Sequence, residues 1–100
     1  MRGITITYDY SGDETDWRSA IIAFIDALDN DPKAENFSYQ VSVADNGISR
    51  IHWGRWDSQD TLTHVQSQEY FKVFAARVSE FSNGTHHPVP ANVIVKTSSW

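Results

Sequence analysis

Apolar and polar residues in this chain follow two periods, and the switches between them predict the elements. Residues 4–10 alternate, with Ile4, Ile6 and Tyr8 apolar and Thr5, Thr7 and Asp9 polar, the two-residue period of a strand with one dry face. Ser11-Gly12-Asp13-Glu14 interrupts it, and Thr15 or Asp16 is placed to cap a helix whose first turn carries acid favourable to its dipole. Trp17, Ile21, Phe24, Ile25 and Leu28 then recur at helical spacing, until Pro32 disfavours helical geometry at Asp31. Alternation returns over Phe37, Tyr39, Val41 and Val43, and Asn46-Gly47 predicts a tight type I′ turn. A third strand over 48–56 sets Ile51, Trp53 and Arg55 on one side and Arg50, His52, Gly54 and Trp56 on the other. A bulge at Gly54 would exchange the sides of Arg55 and Trp56.

Asp57 or Ser58 is placed to cap a long second helix with Leu62 and Val65 inward. Its stripe shifts phase around Gln66-Ser67-Gln68 and resumes with Phe71, Phe74, Val78 and Phe81, which predicts a bend; Asn83-Gly84 ends it. Residues 85–90 read as an extended loop and 91–97 as a fourth strand, apolar on both sides because of Ile94.

This order, β-α-β-β-α-β, predicts one α+β domain over residues 1–100: a ferredoxin-like four-stranded antiparallel sheet with both helices on one face. The other face is bare in a monomer. It carries Thr5, Thr7, Gln40, Ser42 and either Arg50 and His52 or Ile51 and Trp53, a mixed surface that a homodimer formed through the sheet faces would cover, enclosing a semi-polar cavity.

Composition narrows the function classes. The chain has no cysteine, so disulfides and thiolate metal sites are excluded and a cytoplasmic location is expected. The strand pattern begins at Ile4, which leaves no signal peptide expected, and no apolar run approaches the roughly 18 residues of a membrane span. Net charge is −5, with eight acids against two bases between Asp9 and Glu35. Without a basic stripe, neither nucleic acid nor an anionic membrane is expected as a partner.

Trp56, then Asp57-Ser58-Gln59-Asp60, then His64, Ser67, Tyr70-Phe71 and Phe74 on a bent helix resemble the antibiotic biosynthesis monooxygenase-like family of dimeric α/β barrels. The motif covers about a third of the chain and the strand order fits the rest. The resemblance implies a homodimer with its ligand cavity on the sheet face opposite the helices. It also implies binding, and oxidation with O2, of a small aromatic or quinol-type molecule without metal or bound cofactor. The alternative is a non-catalytic ligand-binding or stress-response dimer. Two departures stand out. Gly54-Arg55-Trp56 occupies a place where the family carries an acidic residue, and the positions of the haem-degrading branch's tryptophan and iron-ligating histidine hold Val65 and Ala75, with no asparagine on strand one. Haem degradation of that type is therefore not expected.

Under the oxygenase reading His52 is the candidate general base, because an imidazole can take a proton from a phenol or enol and leave an anion that reacts with O2. Trp53 and Trp56 are candidate stacking walls for a planar ligand, and Arg55 or Arg50 the group that stabilises the anion. His64 and Tyr70 are candidates at the cavity mouth. Each has an ordinary structural alternative: a cross-strand partner for His52, core packing for the tryptophans, a salt bridge for the arginines, and ordering of the helix and its bend for His64 and Tyr70. His86-His87 reads as loop, since adjacent histidines do not readily face one ion.

Overall fold

The computed structural model of the chain describes residues 1–98. Strand β1 (Arg2–Asp9) leads to helix α1 (Glu14–Asp29), a short 3-10 turn (Pro32–Ala34), and strands β2 (Phe37–Val43) and β3 (Ser49–Trp56). Two helices follow, α2 (Gln59–Ser67) and α3 (Glu69–Phe81), and then strand β4 (His87–Asn92). The sheet is antiparallel throughout in the order β2-β3-β1-β4, with the long hairpin partner and the first strand at its centre. The expected α+β sheet-and-helix architecture is present.

Local signals explain where the elements start and stop. Asp13, not Thr15 or Asp16, caps α1: its carboxylate accepts from the backbone N–H groups of Thr15 and Asp16. Ser58 caps α2 through Thr61 N–H. The expected bend is a full break, because Gln68 takes extended geometry between α2 and α3. Asn83 and Gly84 both adopt positive φ after α3, satisfying the last carbonyls of the helix. The β2–β3 turn departs from the tight type I′ form: only Gly47 has positive φ, while the Asn46 side chain accepts from Ile48 and Ser49 N–H.

Strand four also departs from expectation. It is the Pro-containing segment His87–Asn92, whereas Ile94 and Val95 lie outside the sheet and are 88% and 87% exposed. β4 is an edge strand, and Pro88 and Pro90 pair with Ile6 and Ile4. Lacking N–H groups, they fit positions whose nitrogen faces away from β1.

Pairing is regular through Gly54, with no bulge. Strict alternation therefore puts Arg50, His52, Gly54 and Trp56 on the helix-covered face and Ile51, Trp53 and Arg55 on the open one. On the covered face Phe24 and Phe74 stack at 3.8 Å between α1 and α3, above a layer of Tyr8, Phe37 and Trp56. Arg50 is 1% exposed and fully bonded, donating to both Glu14 carboxylate oxygens and to the Tyr10, Gly47 and Ile48 carbonyls while lying 4.3 Å over the Trp17 ring.

Gly54 sits beneath the Tyr39 ring, and a Cβ there would lie 2.9 Å from Tyr39 Cδ1. Gly54→Ala should push that ring off the sheet and destabilise the fold by about 1–3 kcal/mol, the usual range for overpacking. Urea unfolding of the two proteins measures it, and an unchanged midpoint would show that the ring has room to move.

Candidate functional site

An apolar cavity lies between the sheet and helices α2 and α3, with a volume of about 400 Å³. The open face, where the resemblance implies the cavity, carries a more open hollow of about 290 Å³ beside Trp53 and Arg55, and the covered face carries this one. The physical reason is the size of the gap left where α2 and α3 break at Gln68: the sheet residues beneath, Ile4 and Ile6, are short, and Pro88 and Pro90 close the edge without filling the space. The far walls are Leu62, Phe71, Phe74 and Val78, and Trp56 and Phe37 form the end nearest the start of α2. Polar groups are few. Tyr39 lines the interior, Gln59 and Gln66 come from α2, and Arg2, which donates to Asn92, and His86 stand toward β4. Apolar walls with a few separated polar groups are what a site for a small planar molecule offers.

Behind Tyr39 runs a buried polar chain. Trp17 Nε1–H donates to Tyr8 Oη at 2.9 Å, Tyr8 Oη lies 2.9 Å from His52 Nε2, and His52 Nδ1 lies 2.8 Å from Tyr39 Oη. These groups come from α1, β1, β3 and β2, so the chain joins one helix to three of the four strands. His52 has no exposed surface, and burial, with a smaller contribution from the nearby His86, pulls its pKa down to about 4. Burial likewise pushes the hydroxyls of Tyr8 and Tyr39 up, so both stay protonated at neutral pH.

The sequence candidates separate accordingly. Trp56 lines the cavity, but Trp53 and Arg55 face the other side of the sheet, because an unbroken strand cannot turn neighbouring residues to one face. Arg50, the other candidate anion stabiliser, is committed to Glu14. His52 is not an open base: both ring nitrogens are engaged by tyrosines and its basicity is low. His64 and Tyr70 turn away from the cavity. His64 Nε2 and Tyr70 Oη each lie 2.8 Å from Asp31 Oδ2, an arrangement that ties the exit of α1 to the α2–α3 joint and holds the Asp31 carboxyl below its ordinary range. Sequence reading missed Tyr39 and His86. Tyr39 shares the face of His52, and the facing glycine at position 54 was the available signal. His86 and His87 do diverge: His86 bonds through Nδ1 to Ser82 Oγ at 3.2 Å, while His87 pairs with Thr7 on the open face. Among the described residues no three His, Cys, Asp or Glu side chains are gathered to hold a metal, and no helix is long and apolar enough to cross a membrane.

The sequence matches no protein-family model and no curated protein. Solved structures are another matter. Rv0793 from Mycobacterium tuberculosis superposes with a TM-score of 0.79 at 14% identity, covering 97% of this chain and 98% of that one. SnoaB, a cofactor-independent oxygenase from Streptomyces nogalater, has a TM-score of 0.75 at 13% identity over 98% and 97% of the two chains. A protein from Caulobacter crescentus assigned as an antibiotic biosynthesis monooxygenase has a TM-score of 0.73 at 16% identity over 94% and 90%. The fold is that of the antibiotic biosynthesis monooxygenases. The monooxygenase fold thus extends over nearly the whole chain, and the family resemblance read from residues 56–74 agrees with it.

The depressed basicity of His52 has a consequence for stability. In the unfolded chain its pKa returns to the ordinary 6.5, so between that value and about 4 the unfolded state binds the extra proton. The contribution is complete above pH 6.5 and is lost as pH falls toward 4. Between pH 7 and 4.5 stability should drop by about 2–3 kcal/mol through this group. Denaturant unfolding at both pH values, for the wild type and His52→Gln, checks it: the variant should lose most of that drop, and an equal drop in both would assign the dependence elsewhere.

Proposed function

We propose that this protein binds a planar aromatic molecule of the quinol or anthrone type in the cavity between sheet and helices and oxidises it with O2, using no bound cofactor. The observation that carries the reading is the cavity itself: apolar, of a volume suited to fused rings, with isolated hydroxyl, amide and imidazole groups on its wall. The likeness to SnoaB supports the choice of chemistry.

For an anthrone-type substrate the reaction balances without an external reductant. Loss of a proton gives a resonance-stabilised anion, which transfers electrons to O2; a carbon–oxygen bond forms, and the hydroperoxide loses water, so that R2CH2 and O2 become R2C=O and H2O. The protein has then to bind the substrate flat, exclude water and accept one proton. Phe71 and Phe74 supply the apolar walls. His86 is the histidine on the cavity wall; Ser82 Oγ donates its own proton to the Ser79 carbonyl, so the His86 Nδ1–H donates to Ser82 Oγ and Nε2 is the nitrogen left to receive the proton.

The open sheet face carries Trp53 and Ile51 beside Thr5, Thr7 and Gln40, and we place a second copy of the chain against it. A homodimer buries these side chains while leaving each helix-side cavity intact. A cytoplasmic location is consistent with the cysteine-free composition.

Oxygen uptake with anthrone and a set of hydroquinones, after dialysis against a chelator, tests the activity. The wild type should consume O2, and His86→Gln should reduce turnover by about 10²–10⁴-fold, the usual share of general base catalysis. Binding of anthrones, seen as tryptophan quenching, without any uptake would assign the non-catalytic alternative. Sedimentation tests the assembly: the wild type should run as a dimer and Trp53→Asp as a monomer, and a monomeric wild type would remove the partner from the open face.

A further inference from the structure

We propose that Tyr39 is the hydrogen-bond donor that recognises a carbonyl or phenolate oxygen of the cavity ligand, and that Trp17, Tyr8 and His52 form a one-way chain that directs its proton there. The inference rests on the aromatic-ligand reading for the nature of the occupant. The direction of the chain stands on protein geometry alone.

The polarity follows from counting donors and acceptors. An indole Nε1 only donates, so Tyr8 Oη must accept from Trp17. Tyr8 then has its own proton to place, and among the described residues the one other partner of its hydroxyl is His52 Nε2. If Nε2 carried a proton instead, the Tyr8 hydroxyl would accept twice and its hydrogen would be buried without a partner, an arrangement native interiors avoid. Nε2 is therefore an acceptor. The neutral imidazole must carry its single proton on Nδ1, and Nδ1–H donates to Tyr39 Oη. The Tyr39 proton can no longer go to His52, and no other hydrogen bond of this hydroxyl joins it to the described residues. Tyr39 is one of the residues lining the cavity, so its remaining donor is assigned to the occupant.

Rigidity makes this donor selective. The Tyr39 ring rests on Gly54 and meets Phe24 and Phe74 edge to face at 5.1 and 5.7 Å, so the hydroxyl has one place to stand. Each preceding donor polarises the next, which strengthens the last bond of the series. Trp17, Tyr8 and His52 act on the ligand only through Tyr39 and are positioning residues. A ligand with an oxygen acceptor is favoured over its hydrocarbon counterpart, because the latter leaves the Tyr39 donor unpaired in a dry site.

The test uses the full chain labelled with ¹⁵N. Long-range ¹H–¹⁵N correlation at pH 7 should show His52 protonated on Nδ1 and unprotonated on Nε2, the reverse of the tautomer favoured by a free imidazole. Protonation of Nε2 would overturn the chain whatever the ligand. Titration with 1,8-dihydroxyanthraquinone, followed by tryptophan quenching, supplies the second readout: Tyr39→Phe should bind about tenfold more weakly than the wild type, the effect of one hydrogen bond. Equal affinity would overturn Tyr39 as the donor. Should the variant fail to fold, anthracene takes its place as the comparison on the wild type, where it should bind about tenfold more weakly despite being the more apolar probe; equal or tighter binding of anthracene would likewise overturn it. If the wild type shows the expected tautomer but binds neither probe, the aromatic-ligand reading fails and the recognition role falls with it.

Discussion

Everything on the covered face of this sheet depends on satisfying one buried imidazole. His52 sits at the centre of β3 with no exposed surface, where an unpaired polar group would cost more than most single contacts contribute. Its two nitrogens are met by Tyr8 from β1 and Tyr39 from β2, and Tyr8 is met in turn by Trp17 from α1. The bonds thus fix the relative height of three strands and a helix, and the rings that make them also build the core. Phe74 of α3 closes the same layer, lying 5.7 Å from both His52 and Tyr39. A second anchor, Arg50 with Glu14, does the same service one step further along the strand and joins the hairpin end to the start of α1.

The cavity is a by-product of that arrangement. The aromatic layer fills the space under α1 and the middle of α3, but near β4 and the α2–α3 break the sheet presents only isoleucines and prolines. Tyr39 stands at the boundary, with its ring in the packed layer and its hydroxyl on the polar chain. Structure and chemistry therefore meet at one residue, and a ligand in the cavity would sense how the core is bonded. The open face is independent of this. It is separated from the cavity by the full thickness of the sheet, so assembly there and binding on the helix side can be changed one at a time.

Much of this was legible before the structure. The alternation of strands at 4–10, 37–43 and 48–56 and the helical stripes through Trp17–Leu28 and Phe71–Phe81 are direct readouts of which side chains are dry, and the split order of elements follows from them. The direction of β3 was not legible. The alternation separates Arg50 and His52 from Ile51 and Trp53, but the ordinary rule would put the apolar pair inside, and the partners that make a buried arginine and histidine tolerable come from residues 8, 14, 17 and 39, remote in sequence. Strand four differs from the pattern for a related reason. Val93, Ile94 and Val95 have the better strand composition, yet pairing with β1 selected the proline-bearing segment, which an edge tolerates. The faces of the site residues follow from the same register: Trp53 and Arg55 belong to the open face, and Tyr39 and His86 to the helix-side cavity.

We propose a ligand held between sheet and helices with an oxygen on Tyr39. A crystal structure of the protein soaked with 1,8-dihydroxyanthraquinone tests it most directly. The rings should lie between Ile6 and Phe74, with a ligand oxygen within hydrogen-bond distance of Tyr39 Oη. A molecule seated instead against Trp53 on the open sheet face, with the helix-side cavity unchanged, would contradict it.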